Sequence, residues 1–131
     1  MDGSGAKDQT LSPEEIRRYS RHLLLPEVGL AGQERLKRAR VLLIGSGGLG
    51  SPLALYLAAA GVGTIGIVDF DRVEESNLQR QVIFSSDDIG APKTEVAARR
   101  VRALNPEVTV EPHDGRVTGA NVDELISGYD L

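Results

Sequence analysis

The sequence predicts an α/β fold with a doubly wound, mainly parallel sheet that is preceded by N-terminal helices. Continuous apolar runs at residues 41–44 and 64–68 are typical of strands that are buried on both faces. Apolar residues recur at helical spacing in the stretches between and after these runs. A glycine-rich turn, GSGGLG at residues 45–50, joins the first run to a predicted helix. Alternating strands and helices form parallel sheets, so the predicted architecture is Rossmann-like.

Length and composition restrict the class of protein. The chain has 131 residues, enough for one domain, and its formal net charge of −4 offers no general attraction to nucleic acid or to an anionic membrane. We therefore expect neither as a partner. It has 0 cysteines, which excludes thiolate metal ligands in this chain.

The sequence contains no membrane-spanning or leader pattern. The longest apolar stretch, residues 53–62, is too short to span a bilayer, and no basic-then-apolar leader opens the chain, so we expect a cytoplasmic protein. Residues 1–10 are expected to form a disordered tail, which leaves residues 11–131 as the domain.

The first predicted elements are helices. Ser12, Pro13 and Glu15 have the pattern of a capping box with proline at the first helical position. This pattern predicts a helix over residues 13–24, and a shorter helix follows over residues 32–39.

The later elements alternate along the chain. The helix after the glycine turn extends to Ala60, and the second strand ends at Asp69. Beyond a polar loop we predict a helix over residues 92–104, a strand over residues 108–111 and a helix over residues 120–126. Residues 129–131 have the composition of another opening strand, so we expect the chain to be truncated.

The glycine turn has the pattern of a phosphate-binding site. In a strand–turn–helix context, the first glycine permits the tight turn, the second lets the backbone approach a phosphate, and the third lets the helix pack on the strand. Free N–H groups and the helix dipole favour an anion there. An aspartate at the end of the second strand can accept hydrogen bonds from ribose hydroxyl groups. We therefore expect a nucleotide to contact Gly45, Gly47, Gly50 and Asp69.

Polar and basic side chains after the second strand favour a triphosphate. The amides supply neutral hydrogen bonds, Arg80 can bind phosphate oxygens through two N–H groups, and Lys93 brings a charge to the start of a helix. Up to Asp69 the sequence equally fits an NAD-binding oxidoreductase, which has no need for such a loop. The candidate phosphate-binding residues of this region are Asn77, Gln79 or Gln81, Arg80 and Lys93. Arg99 and Arg100 are expected to form a solvated helix face.

Several segments together resemble the ubiquitin-activating-enzyme-like superfamily and, within it, the ThiF/MoeB-type sulfur-carrier adenylyltransferases. They are YSRH at residues 19–22, GSGGLG at 45–50, VDFD at 68–71, SNLQRQ at 76–81 and PK at 92–93. The SNLQRQ run is specific, whereas the glycine motif alone is not. The resemblance covers residues 11–131 and implies the N-terminal part of a molybdopterin-synthase adenylyltransferase-like protein.

This resemblance implies an activity, its cofactors and its partners. Members of the family bind ATP with Mg²⁺ and adenylate the C-terminal glycine of a small ubiquitin-fold carrier protein, releasing pyrophosphate. The implied catalytic residues are Arg80, Lys93 and Arg21, of which Arg21 reaches the partner subunit's site across a homodimer. The nucleotide contacts that the resemblance implies are Gly48 and its neighbours in the turn, Asp69, Asp71, Ser76, Asn77, Leu78, Gln79, Arg80 and Lys93. Cysteine pairs that bind Zn²⁺ and an aspartate near Mg²⁺ are expected only beyond Leu131. We therefore assign no metal ligand in this chain, and we expect the fragment alone to be inactive.

Two other functions remain open from the sequence. The chain could belong to a non-catalytic relative that serves as a dimerisation or carrier-docking module. An NAD-binding oxidoreductase domain is the less favoured alternative. The sequence does not distinguish molybdopterin synthesis, thiamine synthesis and tRNA thiolation as the pathway of the carrier protein.

Overall fold

The computed structural model describes residues 10–45 and 50–131, and it confirms the predicted α/β fold. The strands are β1 Arg40–Ile44, β2 Thr64–Asp69 and β3 Thr109–Asp114. The helices are α1 Pro13–Arg18, α2 Ser20–Leu23, α3 Gly29–Arg38, α4 Gly50–Ala60, α5 Lys93–Leu104 and α6 Val122–Ser127. The predicted tail lies, except for Thr10, outside the described residues. None of the helices within the described ranges is long and apolar enough to cross a membrane.

The three strands lie in the order β1-β2-β3, and both strand pairs are parallel. At the edge of β1 that faces away from β2, the N–H of Asp130 donates to the carbonyl of Arg40 at 2.7 Å. The N–H of Leu42 donates to the carbonyl of Leu131 at 2.8 Å. Residues 130–131 therefore run alongside β1, where the sequence predicts that another strand opens, but residues 129–131 form no regular strand.

The hydrophobic core lies on the face of the sheet that α4 and α5 cover. Ile65 and Ile67 of β2 are 0% exposed, and burial of one such side chain contributes about 1.5–3 kcal/mol. Ala58 of α4 and Ala97 of α5 are also fully buried, and their small side chains let both helices lie close to their neighbours. Apart from Phe84, the described core consists of aliphatic and alanine side chains, in agreement with an aromatic content of 4%.

The N-terminal segment differs from the prediction in two respects. The short helix predicted over residues 32–39 is α3, which begins three residues earlier, at Gly29. The single helix predicted over residues 13–24 is divided into α1 and α2 at Tyr19, whose φ of −100° and ψ of 17° are not helical. The Tyr19 hydroxyl is buried and accepts a hydrogen bond from Nδ2 of Asn105 at 2.8 Å, so the chain turns where this side chain docks. The predicted capping box is present, because Ser12 Oγ accepts from the Glu15 N–H at 3.1 Å and Glu15 Oε1 accepts from the Ser12 N–H at 2.9 Å.

A buried carboxylate fixes the loop before α5. The side chain of Asp88 is 2% exposed and accepts hydrogen bonds from Arg99 Nη2 at 2.6 Å, Arg100 Nη2 at 2.9 Å and the Ser85 N–H at 2.7 Å. The two arginines are expected from the sequence to form a solvated helix face. Their side chains are 62% and 40% exposed, but both also bind Asp88, which the sequence did not predict. Burial alone would raise the pKa of Asp88. Hydrogen bonds from Ser85 and Arg100 outweigh this effect, and the pKa lies below its usual value.

Replacing Asp88 with asparagine is expected to lower the free energy of unfolding by about 2–4 kcal/mol at neutral pH, because the charged hydrogen bonds are lost. A carboxylate with a lowered pKa stabilises the fold above about pH 4, and the contribution disappears as the pH falls through the folded-state pKa. Urea unfolding at pH 7 and in acid should therefore show a difference between wild type and variant that shrinks in acid. Asp87→Asn is the control, since Asp87 is exposed; equal losses in the two variants would contradict this role of Asp88.

Candidate functional site

A cavity of about 270 Å³ opens at the carboxyl end of the sheet. The ends of β1 and β2 and the loops after β2 and β3 form it, which is where parallel α/β sheets bind ligands. Its lining is mostly apolar, with one carboxylate and one guanidinium group. The lining residues include Ile44, Gly45, Val68, Asp69, Phe70 and Arg116.

The glycine turn begins at the wall of this cavity. Gly45 has a φ of +93°, which favours glycine, and its N–H donates to the carbonyl of Val68 at 2.6 Å. A Cβ on Gly50 would overlap the carbonyl oxygen of Gly45, so α4 and the end of β1 approach closely only because residue 50 is glycine. Gly47 and Gly48 lie outside the described residues.

Asp69 is held in a defined orientation at the cavity wall. The residue is 9% exposed, and its Oδ1 accepts a hydrogen bond from the Asp71 N–H at 2.9 Å. Its carbonyl accepts from the Gly115 N–H at 2.9 Å, which ties the loop after β3 to the end of β2. A carboxylate fixed in this way can accept hydrogen bonds from the hydroxyl groups of a ligand.

Lys93 is fixed to the loop that follows β2. Its N–H donates to the carbonyl of Asp71 at 3.0 Å, and the Val73 N–H donates to the carbonyl of Ala91 at 2.9 Å, so the two segments pair. Nζ of Lys93 lies 3.9 Å from Asp71 Oδ2 and 5.9 Å from the centroid of the Phe84 ring. The lysine side chain is 6% exposed, whereas that of Asp71 is 54% exposed, so this ion pair is weak. The backbone pairing and burial beside Phe84 therefore set the position of Lys93.

The loop predicted to bind phosphates is stabilised by its own turns. Nη1 of the exposed Arg80 donates to the carbonyl of Ser76 at 3.2 Å. Oδ1 of the buried Asn77 accepts from the Glu74 N–H at 2.9 Å. The other predicted residues here are the half-buried Leu78 and the exposed Gln79. None of these described residues, nor Lys93, lines the cavity of 270 Å³.

Arg21 is exposed on α2, and its side chain makes no hydrogen bond or ion pair with any other described residue. The neighbouring His22 fixes α2, since His22 Nδ1 and Gln33 Oε1 are 3.0 Å apart and Gln33 Nε2 donates to the carbonyl of Ala60 at 2.8 Å. An amide oxygen only accepts, so His22 Nδ1 carries the proton. Arg21 does not line the cavity of its own chain.

Sequence reasoning did not select Phe70 and Arg116, although both line the cavity. Cζ of Arg116 lies 3.9 Å from the centroid of the Phe70 ring, which is a stacking distance. Phe70 directly follows Asp69, and Arg116 follows the end of β3. Because ligands bind at the carboxyl ends of parallel strands, these positions were a signal that could have identified both residues.

A second polar cluster lies on the opposite face of the sheet, beside a cavity of about 430 Å³. The Tyr129 hydroxyl donates to Glu111 Oε1 at 2.5 Å and lies 2.9 Å from His113 Nε2, and Arg40 Nη2 donates to the same Glu111 oxygen at 3.0 Å. Burial, and then the hydrogen bond to Glu111, raise the pKa of Tyr129 to about 12. The hydrogen bond from Tyr129 also lowers the pKa of Glu111. These groups bind one another, so we interpret the cluster as structural.

The described ranges contain no group of three or more His, Asp and Glu side chains that could hold a metal ion.

The domain is of the nucleotide-binding α/β class. This class is defined by a glycine turn after the first strand, an acidic residue at the end of the second strand and a cavity between the two. The particular family follows from comparison with known proteins. The sequence profile of the ThiF family matches residues 19–131, and the chain belongs to this family.

The relatives are longer than this chain. It is 58% identical over 121 residues to the probable adenylyltransferase/sulfurtransferase MoeZ of Mycobacterium tuberculosis, covering 92% of this chain and 31% of that protein. It is 54% identical over 118 residues to the sulfur carrier protein adenylyltransferase of Thermus thermophilus, covering 90% and 44%. Among solved structures, the tRNA N6-threonylcarbamoyladenosine dehydratase TcdA of E. coli in complex with ATP matches with a TM-score of 0.84 and 35% identity, over 90% of this chain and 48% of that one.

Proposed function

We propose that the complete protein containing this chain adenylates the C-terminal glycine of a small ubiquitin-like sulfur-carrier protein with ATP, releasing pyrophosphate. The observation that carries the proposal is the cavity beside Asp69 and the glycine turn, at the carboxyl edge of the sheet. The names of the mycobacterial and Thermus relatives support the reaction class, and the ATP complex of the E. coli structure supports the nucleotide.

The nucleotide would lie along the carboxyl edge of the sheet. The backbone of the glycine turn, with Gly45, Gly47, Gly48 and Gly50, would approach the phosphates at the start of α4. Asp69 would bind the ribose hydroxyls. The phosphate chain would then contact the loop and the start of α5 through Asp71, Ser76, Asn77, Leu78, Gln79, Arg80 and Lys93.

The reaction needs no general base. A C-terminal carboxylate has an ordinary pKa of about 3.3–3.7 and is ionised at neutral pH. One of its oxygens forms a bond to the α-phosphorus, the bond from that phosphorus to the oxygen bridging to the β-phosphate breaks, and pyrophosphate leaves with the electron pair. An anion attacks an anion, so catalysis must come from positioning and positive charge. Arg80 and Lys93 supply that charge, and Mg²⁺, when bound to the triphosphate, would add to it.

We further propose that the protein is a homodimer in which Arg21 reaches the partner subunit's site. Support comes from the exposure of Arg21 and from its lack of partners among the described residues. The hydrogen bond between His22 and Gln33 nevertheless fixes the helix that carries Arg21. A fixed helix is needed if Arg21 is to reach a defined position in another subunit. The carrier protein would serve one of three pathways: molybdopterin synthesis, thiamine synthesis or tRNA thiolation. We place the complete enzyme in the cytoplasm.

Nucleotide competition separates this proposal from an oxidoreductase. ATP is expected to displace a fluorescent ATP analogue from the complete protein, whereas NAD⁺ is expected to need a concentration about a hundredfold higher, because Arg80 and Lys93 suit a triphosphate. ADP-ribose is the matched control, since it shares the adenosine and diphosphate of NAD⁺. Displacement by NAD⁺ at the concentrations at which ATP acts would contradict the proposal.

A further inference from the structure

The cavity wall nearest β3 is built from a stacked pair, Phe70 and Arg116. The Arg116 guanidinium lies 3.9 Å from the centre of the Phe70 ring. Phe70 is 50% exposed, and Arg116 makes no side-chain hydrogen bond or ion pair with another described residue. An arginine held against an aromatic ring and not committed to a carboxylate keeps its second planar face available for stacking.

The backbone holds Arg116 in this position from both sides. The Gly115 N–H donates to the carbonyl of Asp69 at 2.9 Å, continuing the register in which Asp69 faces Asp114. On the other side, Nδ2 of Asn121 donates to the carbonyl of Arg116 at 2.8 Å. The loop after β3 is therefore anchored at the cavity rather than free to move away from it.

The layout of the edge determines which part of a nucleotide would meet this wall. In a parallel α/β sheet the phosphates lie at the glycine turn after the first strand, and the acidic residue that ends the second strand binds the ribose. Gly45 and Asp69 occupy these two places, and the strands are in the order β1-β2-β3. The base then lies beyond Asp69, on the side of the loop after β3, where the lining is apolar apart from Arg116.

We propose that Arg116, stacked on Phe70, is a base-binding residue that packs its guanidinium plane against the purine ring of the bound nucleotide. The inference rests on the proposed nucleotide site. Within that site, Arg116 would increase the affinity for the nucleoside and not the affinity for the phosphates. Stacking of a guanidinium on a base needs a planar group, so a lysine at this position would not replace it.

Calorimetric titration of the complete protein with AMP and with inorganic tripolyphosphate tests the inference. Arg116→Ala and Arg116→Lys are both expected to weaken AMP binding about tenfold, and both should leave the affinity for tripolyphosphate unchanged. Arg38→Ala is the matched control, because Arg38 is an exposed arginine at the end of α3 and should leave both affinities unchanged. The side chain of Arg116 is exposed, so the variants should fold, and circular dichroism verifies this.

Each outcome has a distinct meaning. Unchanged AMP affinity in Arg116→Ala overturns the base-binding role and leaves the proposed function standing. An equal loss for AMP and tripolyphosphate overturns it as well, since Arg116 would then bind phosphate. If the wild-type protein binds NAD⁺ but not ATP, and Arg116→Ala weakens that binding, the proposed function fails while the base-binding role holds. A wild-type protein that binds no adenine nucleotide overturns both.

Discussion

Replacing Lys93 or Arg80 with alanine in the complete protein is expected to slow pyrophosphate release in the presence of the carrier by about a hundredfold or more. Each change removes a preorganised positive charge from a reaction in which a carboxylate attacks a phosphate. Lys93 brings that charge to the start of α5, beside Asp71 and Phe84, and the backbone holds it there at no further cost. A coupled assay of pyrophosphate, with the carrier and ATP in excess, measures the rate.

Arg80→Ala is the cleaner of the two variants, because Arg80 is exposed and its removal should not disturb folding. Arg35→Ala provides the matched control, since Arg35 is an exposed arginine of α3 and should leave the rate within about twofold of wild type. Wild-type rates for both Arg80→Ala and Lys93→Ala, with the fold intact, would refute the catalytic roles. If the unmodified complete protein binds the carrier but forms no adenylate, that result would favour the alternative function, a non-catalytic carrier-docking module.

Replacing Gly50 with alanine is expected to abolish measurable ATP binding and to lower the free energy of unfolding by about 1–3 kcal/mol or more. The new Cβ would overlap the carbonyl oxygen of Gly45, and both partners are backbone, so α4 or the end of β1 must move. Such a movement displaces the phosphate-binding turn relative to Asp69. Urea unfolding and calorimetric titration with ATP measure the two effects.

Gly119→Ala controls for the general effect of adding a methyl group to a glycine. A Cβ at Gly119 would meet no heavy atom within 4 Å, and its backbone is not in the left-handed region. This variant should retain both its stability and its affinity for ATP. If Gly50→Ala behaved in the same way as Gly119→Ala, the close approach of α4 to β1 would not be a requirement of the site.

Local patterns in the sequence were sufficient to predict the elements of the fold. The apolar runs at residues 41–44 and 64–68 are β1 and β2 within one residue at each end, and the capping box at Ser12 starts α1 as predicted. These features depend on residues that are close together in the chain, where hydrophobic periodicity and turn chemistry act directly. The break at Tyr19 was missed because its cause, a hydrogen bond from Asn105, is remote in sequence.

The candidate site was predicted in part for the same reason. Asp69 and Gly45 line one cavity, since the end of a parallel strand and the turn after its neighbour must meet at one edge of the sheet. The stacking of Arg116 on Phe70 was not predicted: their positions after the strand ends place both at this edge, but their contact depends on how the loop after β3 folds onto the end of β2.

The amino-acid sequence alone therefore determined the order of strands and helices, the glycine turn and the acidic residue beside it. Only folding brought Asp88 to Arg99 and Arg100, and Arg116 to Phe70. Such contacts form between loops whose paths depend on how every strand and helix packs. A side chain cannot select a distant partner until that packing has brought the two within a few ångströms of each other.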